Sequence, residues 1–163
     1  MSKFTKIISS GSYLPEKILT NRELEGIVDT TDKWITERTG IKERRVSSDD
    51  ETSVDMAYQA SIDAINKSGL KKDEIGAIFL ATCTPERKFP STAVLLQNRL
   101  NIKNAFSVDL NAACTGFVYA LDIAKKYIES KQVKYALVVG TEKIASLLDW
   151  ADRNTCVLFG DGA

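Results

Sequence analysis

The chain has 163 residues, with 22 Lys plus Arg, 22 Asp plus Glu and no histidine. Apolar residues at 44% suffice for a sizeable core and exclude a disordered chain. The net charge of zero removes the basic surplus that a nucleic-acid or anionic-membrane binder needs, and without histidine no Ser-His, Cys-His or His-metal site can be completed here.

The first six residues carry two lysines, but only Ile7-Ile8 follows as an apolar run, so no signal peptide is read. The longest apolar stretches are strand-sized, too short to span a bilayer. Lys6 to Leu14 reads as a first strand closed by Pro15, and Asn21 to Val28 as a short helical pattern. Thr30, Thr31 and Asp32 form a cluster of N-cap residues, so a short helix over Lys33 to Thr39 is expected, stopped by Gly40. Arg44 to Glu51 is polar and reads as a surface loop. Thr52 to Ser68 places Val54, Ala57, Tyr58, Ile62 and Ile65 at helical spacing before Gly69.

Ala77 to Ala81 is a short apolar strand, Ser91 to Leu100 a helix, Ala105 to Leu110 a strand and Thr115 to Ser130 a long helix. Tyr135 to Val139 and Thr155 to Phe159 complete the strands. Apolar strands alternating with helices predict an α/β fold: a five-stranded mixed, mainly parallel sheet with helices on both faces. The stretch at about 15–50 is long for a connection inside such a domain, which marks it as a functional excursion.

The three cysteines are odd in number, widely spaced and in no CxxC pair, against a disulfide framework or structural zinc and in favour of a reduced, cytoplasmic protein. Cys156 lies inside a predicted strand and reads as a small buried hydrophobe, and packing is also the better reading of Cys83. Cys114 differs, because it falls between a strand end and the start of a buried helix. Free N–H groups and the positive end of the helix dipole there favour the thiolate form. The position is also where open α/β sheets bind ligands. From position alone, a nucleophile and a structural cysteine both stand as readings. Trp34 and Arg38 share a helix face, offering either a stacking surface with a phosphate-binding fork or an ordinary packed tryptophan with a solvated arginine. No GxGxxG or Walker A pattern is present, so a dinucleotide or NTP fold has no support.

Four stretches occur together: GSYLP at 11–15, TDKWITERTGI at 31–41, DLNAACTGFVYAL at 109–121, and DRNT at 152–155 running into LFGDGA at 158–163. With their order and spacing the sequence resembles the N-terminal half of β-ketoacyl-acyl-carrier-protein synthase III, a thiolase-fold condensing enzyme that starts type II fatty-acid synthesis. The resemblance implies that residues 1–163 form one thiolase-like half-domain, with the excursion contributing to a coenzyme A entrance. It puts Cys114 on the acyl-accepting nucleophile, and Thr30, Trp34, Arg38 and Arg153 on residues that hold coenzyme A. Phe89 falls on a residue that crosses a homodimer interface to close the partner's acyl pocket, and Cys83 on a position near that pocket. The implied substrates are acyl-CoA and malonyl-acyl-carrier protein. No cofactor is implied, since coenzyme A enters as the thioester substrate. The family's second half, which supplies a histidine and an asparagine, is expected to be missing from this chain. Another acyl-cysteine enzyme of the same fold (an HMG-CoA synthase or a polyketide starter type) and a non-catalytic partner-binding half are the alternatives.

Overall fold

The capping signals position the first half of the structure, a computed structural model that describes residues 4–163. Strand β1 (Ile18–Thr20) runs into helix α1 (Asn21–Leu24), where Thr20 and Glu23 form a reciprocal capping box. Helix α2 (Asp32–Thr39) starts at Thr31, whose hydroxyl accepts the Trp34 N–H, and ends at Gly40 with φ 74°. Strand β2 (Glu43–Arg45) then pairs antiparallel with β1. Helix α3 (Ser53–Ser68) is capped by Thr52 and Asp55 and stopped by Gly69 at φ 71°. The expected excursion therefore has its own small architecture, a two-stranded ribbon with two short helices.

Strand β3 (Ile75–Ala81) is followed by α4 (Thr92–Leu100), β4 (Phe106–Leu110), α5 (Gly116–Glu129), β5 (Tyr135–Gly140) and α6 (Arg153–Cys156). The main sheet is parallel, in the order β4-β3-β5. Alternation along β3 divides its side chains between two layers. Ile78 and Leu80 enter a cluster with Ala57, Ile65, Leu96 and Leu100 of α3 and α4. Ala77 and Phe79 pack against Ala120 and Ala124 of α5. A third cluster, of Leu19, Leu24, Ile35, Cys156 and Val157, joins the excursion to α6.

Four expectations need correction. The described residues hold three parallel strands and a separate antiparallel pair, not five strands in one sheet. Residues 6–14 are not a strand. Gly11 instead sits on the backbone of α3, so tightly that a Cβ would come within 2.3 Å of the Ala60 carbonyl oxygen. Of this segment, Tyr13 exchanges two backbone hydrogen bonds with Ala163, at 2.8 and 3.0 Å. A strand needs a ladder. In its place an apolar cleft of about 790 Å³ separates residues 4–11 from β5, walled by α3 and α5.

Residues 155–159 are not a strand either. Asp152 caps a helical turn through the Asn154 N–H at 2.9 Å, and this local bond overrides the β-propensity of the stretch. Cys156 is fully buried as expected, but on a helix. Finally, 44–51 is not simply a surface loop, since Arg44 is only 6% exposed. Its guanidinium donates to the Leu19 carbonyl, the Asn21 side chain and the Val157 carbonyl, tying β1, α1 and α6 together. Burial holds its pKa below the ordinary arginine value.

Candidate active site

Cys114 is exposed at the carboxyl end of the parallel sheet. β4 ends at Leu110, and a 3-10 turn over Ala113–Thr115 leads into α5. Ala113 has φ 45°, a left-handed conformation that alanine adopts at a cost. That bend turns the chain from strand to helix within a few residues and leaves the Cys114 side chain in solvent. Close packing fixes the turn from below, since a Cβ on Gly116 would stand 3.1 Å from that of Ala81 on β3. Asp109 fixes it from the side by accepting the Thr92 and Ala93 N–H groups at 2.8 and 2.7 Å, which caps α4. Cys114 thus stands in the first turn of a helical run, where backbone N–H groups have no intrahelical acceptor.

The ends of β3 and β5 lie beside this turn. Thr82 N–H donates to the Leu110 carbonyl and Thr141 N–H to the Ala81 carbonyl, both at 3.1 Å. Cys83 follows immediately and is half-buried. Glu142, just past β5, accepts its N–H at 2.9 Å and its thiol at 3.3 Å on one oxygen, and the Thr84 hydroxyl at 2.6 Å on the other. Burial, then the hydrogen bond and charge of Glu142, push the Cys83 thiol above its ordinary pKa. Lys143 points its ammonium onto the carbonyls of Ser48, Asp49 and Glu51.

A second group of site residues gathers around Trp34. The Arg38 guanidinium carbon lies 4.5 Å from the ring centre and that of Arg153 4.9 Å. The Trp34 ring also packs against the Leu24–Ile35 cluster. Arg153 opens α6 and donates to the Asp29 carbonyl at 3.1 Å, next to Thr30. The buried Thr30 hydroxyl has no hydrogen-bond partner among the described residues. Phe89 is 84% exposed on the loop between β3 and α4, apart from both groups in the described contacts.

Glu142, Asp109, Lys143 and Arg44 carry much of this architecture and had no role in the sequence reading. Their partners are distant in sequence, so no local pattern points to them. Asp109 alone lay inside a quoted motif. Among the described residues, no group of three His, Cys, Asp or Glu is placed to hold a metal ion. Among the same described residues, no helix is long and apolar enough to cross a membrane.

Comparison with known proteins follows the same lines. The family described as 3-oxoacyl-[acyl-carrier-protein (ACP)] synthase III matches residues 108–163. The β-ketoacyl-[acyl-carrier-protein] synthase III of Aquifex aeolicus is 54% identical over 98% of this chain and 51% of its own length. That of Xanthomonas oryzae pv. oryzae is 53% identical over 100% and 51%. The Aquifex crystal structure superposes with a TM-score of 0.91 at 52% identity, over 96% of this chain and 51% of that one. The priming β-ketosynthase of the R1128 polyketide pathway superposes at 0.96 with 38% identity, over 99% and 48%. The thiolase-like α/β fold is therefore present, and the chain spans about half the length of the curated relatives it matches.

Proposed function

We propose that this chain, which belongs by sequence and fold with the β-ketoacyl-[acyl-carrier-protein] synthases III, is the half of such an acyltransferase that carries the acyl-accepting nucleophile. The observation that carries the reading is Cys114, exposed in the first helical turn beyond a parallel strand. Its thiolate attacks the carbonyl of an acyl-CoA thioester. A carbon–sulfur bond to Cys114 replaces the one to coenzyme A, whose thiolate takes up the proton. The N–H groups at the start of the helical run are the natural donors to the developing oxyanion. Malonyl-acyl-carrier protein then loses carbon dioxide, and its carbanion attacks the acyl-Cys114 carbonyl to give 3-oxoacyl-acyl-carrier protein and the free thiolate.

Trp34, Arg38 and Arg153 support a coenzyme A entrance in the excursion: an aromatic face for adenine beside two guanidinium forks for phosphate. We place Thr30 at the same entrance, Cys83 in the acyl pocket, and Phe89 across a homodimer interface into the partner's pocket. The 84% exposure of Phe89, and Phe106 and Val108 exposed on the edge strand β4, support a partner on that side. The histidine and asparagine of the condensation step belong to a second half. Relatives twice as long and the open apolar cleft beside β5 support such a half. Three unpaired cysteines fit a reducing, cytoplasmic setting. No cofactor has a role in this scheme.

The test is to assemble the chain with the second half of the Aquifex relative and to follow acetyl-CoA with malonyl-acyl-carrier protein. Ping-pong kinetics with a 3-oxoacyl product, abolished by Cys114→Ala, are expected. Full condensing activity in Cys114→Ser would contradict the role of Cys114. The similarity to the R1128 priming enzyme favours polyketide priming as a second reading, which identification of the preferred starter acyl-CoA distinguishes.

A further inference from the structure

Two thiols share the carboxyl end of the sheet. Cys114 follows β4 and Cys83 follows β3, and these strands are hydrogen-bonded neighbours up to Ala81 and Leu110, with Thr82 N–H extending the ladder. The proposed chemistry makes only one of them an acyl acceptor. An acyl thioester beside a second thiolate is open to exchange: that thiolate attacks the carbonyl, a new carbon–sulfur bond forms, and the Cys114 thiolate leaves. An acyl group moved in this way to a half-buried loop would be out of place for condensation.

We infer that Glu142 is a positioning residue that holds Cys83 as a donating thiol and so leaves Cys114 as the single acyl acceptor. This rests on the reading of Cys114 as that acceptor. One oxygen of Glu142 receives both the N–H and the S–H of Cys83, which fixes backbone and side chain together. Its other oxygen is held by the Thr84 hydroxyl, which in turn accepts the Lys143 N–H at 2.8 Å. The Glu142 backbone is pinned in both directions to Gly162, at 3.0 and 3.1 Å. The carboxylate is therefore constrained on every side and cannot rotate away from the thiol without breaking several bonds.

The charges around Cys83 act in the same sense. Glu142 faces it from beyond β5 and Cys114 from beyond β4, and both disfavour a second negative charge. Lys143, the adjacent cation, is committed to three carbonyls of residues 48–51. Glu86, on the same loop, is turned to the Val54 N–H. No described cation offsets Glu142 at the thiol, and burial adds to the effect.

The experiment is site-resolved alkylation of the 163-residue chain by iodoacetamide across pH, with peptide mapping of each cysteine. Cys83 should react with an inflection above 9.0, the ordinary thiol value, and more slowly than Cys114 at neutral pH. In Glu142→Gln the Cys83 inflection should fall, and its rate near pH 8 should rise about tenfold for each pH unit of that fall, because the thiolate is the reacting form. The Cys114 rate should stay within about twofold, as that thiol has no bond to Glu142 to lose. A wild-type Cys83 inflection at or below 9.0, or an unmoved profile in a folded Glu142→Gln chain, would overturn the inference. Should the variant fail to fold, the wild-type profile decides alone. A Cys114 no more reactive than buried Cys156 would count against the nucleophile reading, while the Cys83 profile would still judge Glu142.

Discussion

Arg153 stacks over Trp34, its guanidinium carbon 4.9 Å from the ring centre, although the two residues stand near opposite ends of the chain. Arg38 adds a second guanidinium at 4.5 Å from the same ring. Two cations beside one aromatic ring repel each other, and the arrangement persists because the ring attracts both and the Asp29 carbonyl anchors Arg153. A polyanionic guest would relieve that repulsion.

Arg38→Ala and Arg153→Ala should therefore each raise the KM for acyl-CoA in the assembled enzyme. Loss of one charge-assisted phosphate contact of about 1.5–3 kcal/mol corresponds to roughly 10- to 100-fold. Alkylation of Cys114 should be unchanged, since neither arginine is in the described contacts of its turn. An equal fall in alkylation would make these arginines structural.

Ala113, at φ 45°, sets the bend that presents Cys114. Alanine there costs about 1–2 kcal/mol. Ala113→Gly removes that cost but loosens the unfolded chain by about 0.5–1 kcal/mol, so stability should stay within about 1 kcal/mol of wild type. Ala113→Val should be destabilising by about 1–3 kcal/mol and should slow Cys114 alkylation, because a β-branched residue resists a positive φ. Urea midpoints and alkylation rates measure both effects.

Asp109 accepts two N–H groups at the start of α4 with its two oxygens. Asp109→Asn retains one acceptor and loses the charge, so thermal unfolding should report a loss of about 1–2 kcal/mol. Faster hydrogen exchange at Thr92 and Ala93 would identify the lost cap as the cause.

Tyr13 donates its phenol proton to Glu51 at 2.6 Å. That bond, with burial next, pushes its pKa from 10.0 to about 12. The folded value lies above the unfolded one, so the folded state holds the proton more tightly. The resulting stability is complete below pH 10 and is lost as pH rises toward 12. Urea midpoints should fall across that interval, and Tyr13→Phe should flatten the fall.

The elements set by local signals were legible in the sequence. Thr31 with Gly40, and Thr52 with Gly69, bound their helices where capping chemistry puts them. The apolar runs at β3, β4 and β5 became the parallel sheet, and the strand-to-helix turn left Cys114 exposed. What escaped depends on partners. The apolar stretch over 6–14 has strand composition but finds a ladder partner only at Tyr13. Residues 155–159 have it too, yet the Asp152 cap places Thr155 and Cys156 in a short helix over Arg153–Cys156 and leaves no strand. Arg44 looks like surface until three acceptors from separate elements surround it. Glu142 is visible only when β3 and β5 lie side by side. Periodicity carries no information about any of these pairings.

Mapping the acyl group after brief incubation of the assembled enzyme with labelled acetyl-CoA, and no malonyl-acyl-carrier protein, tests the central claim most directly. One acetyl group per chain, in thioester linkage on the peptide carrying Cys114 and discharged when malonyl-acyl-carrier protein is added, is the expected result. An acetyl group on Cys83 or Cys156, or an active enzyme that never becomes acetylated, would contradict it.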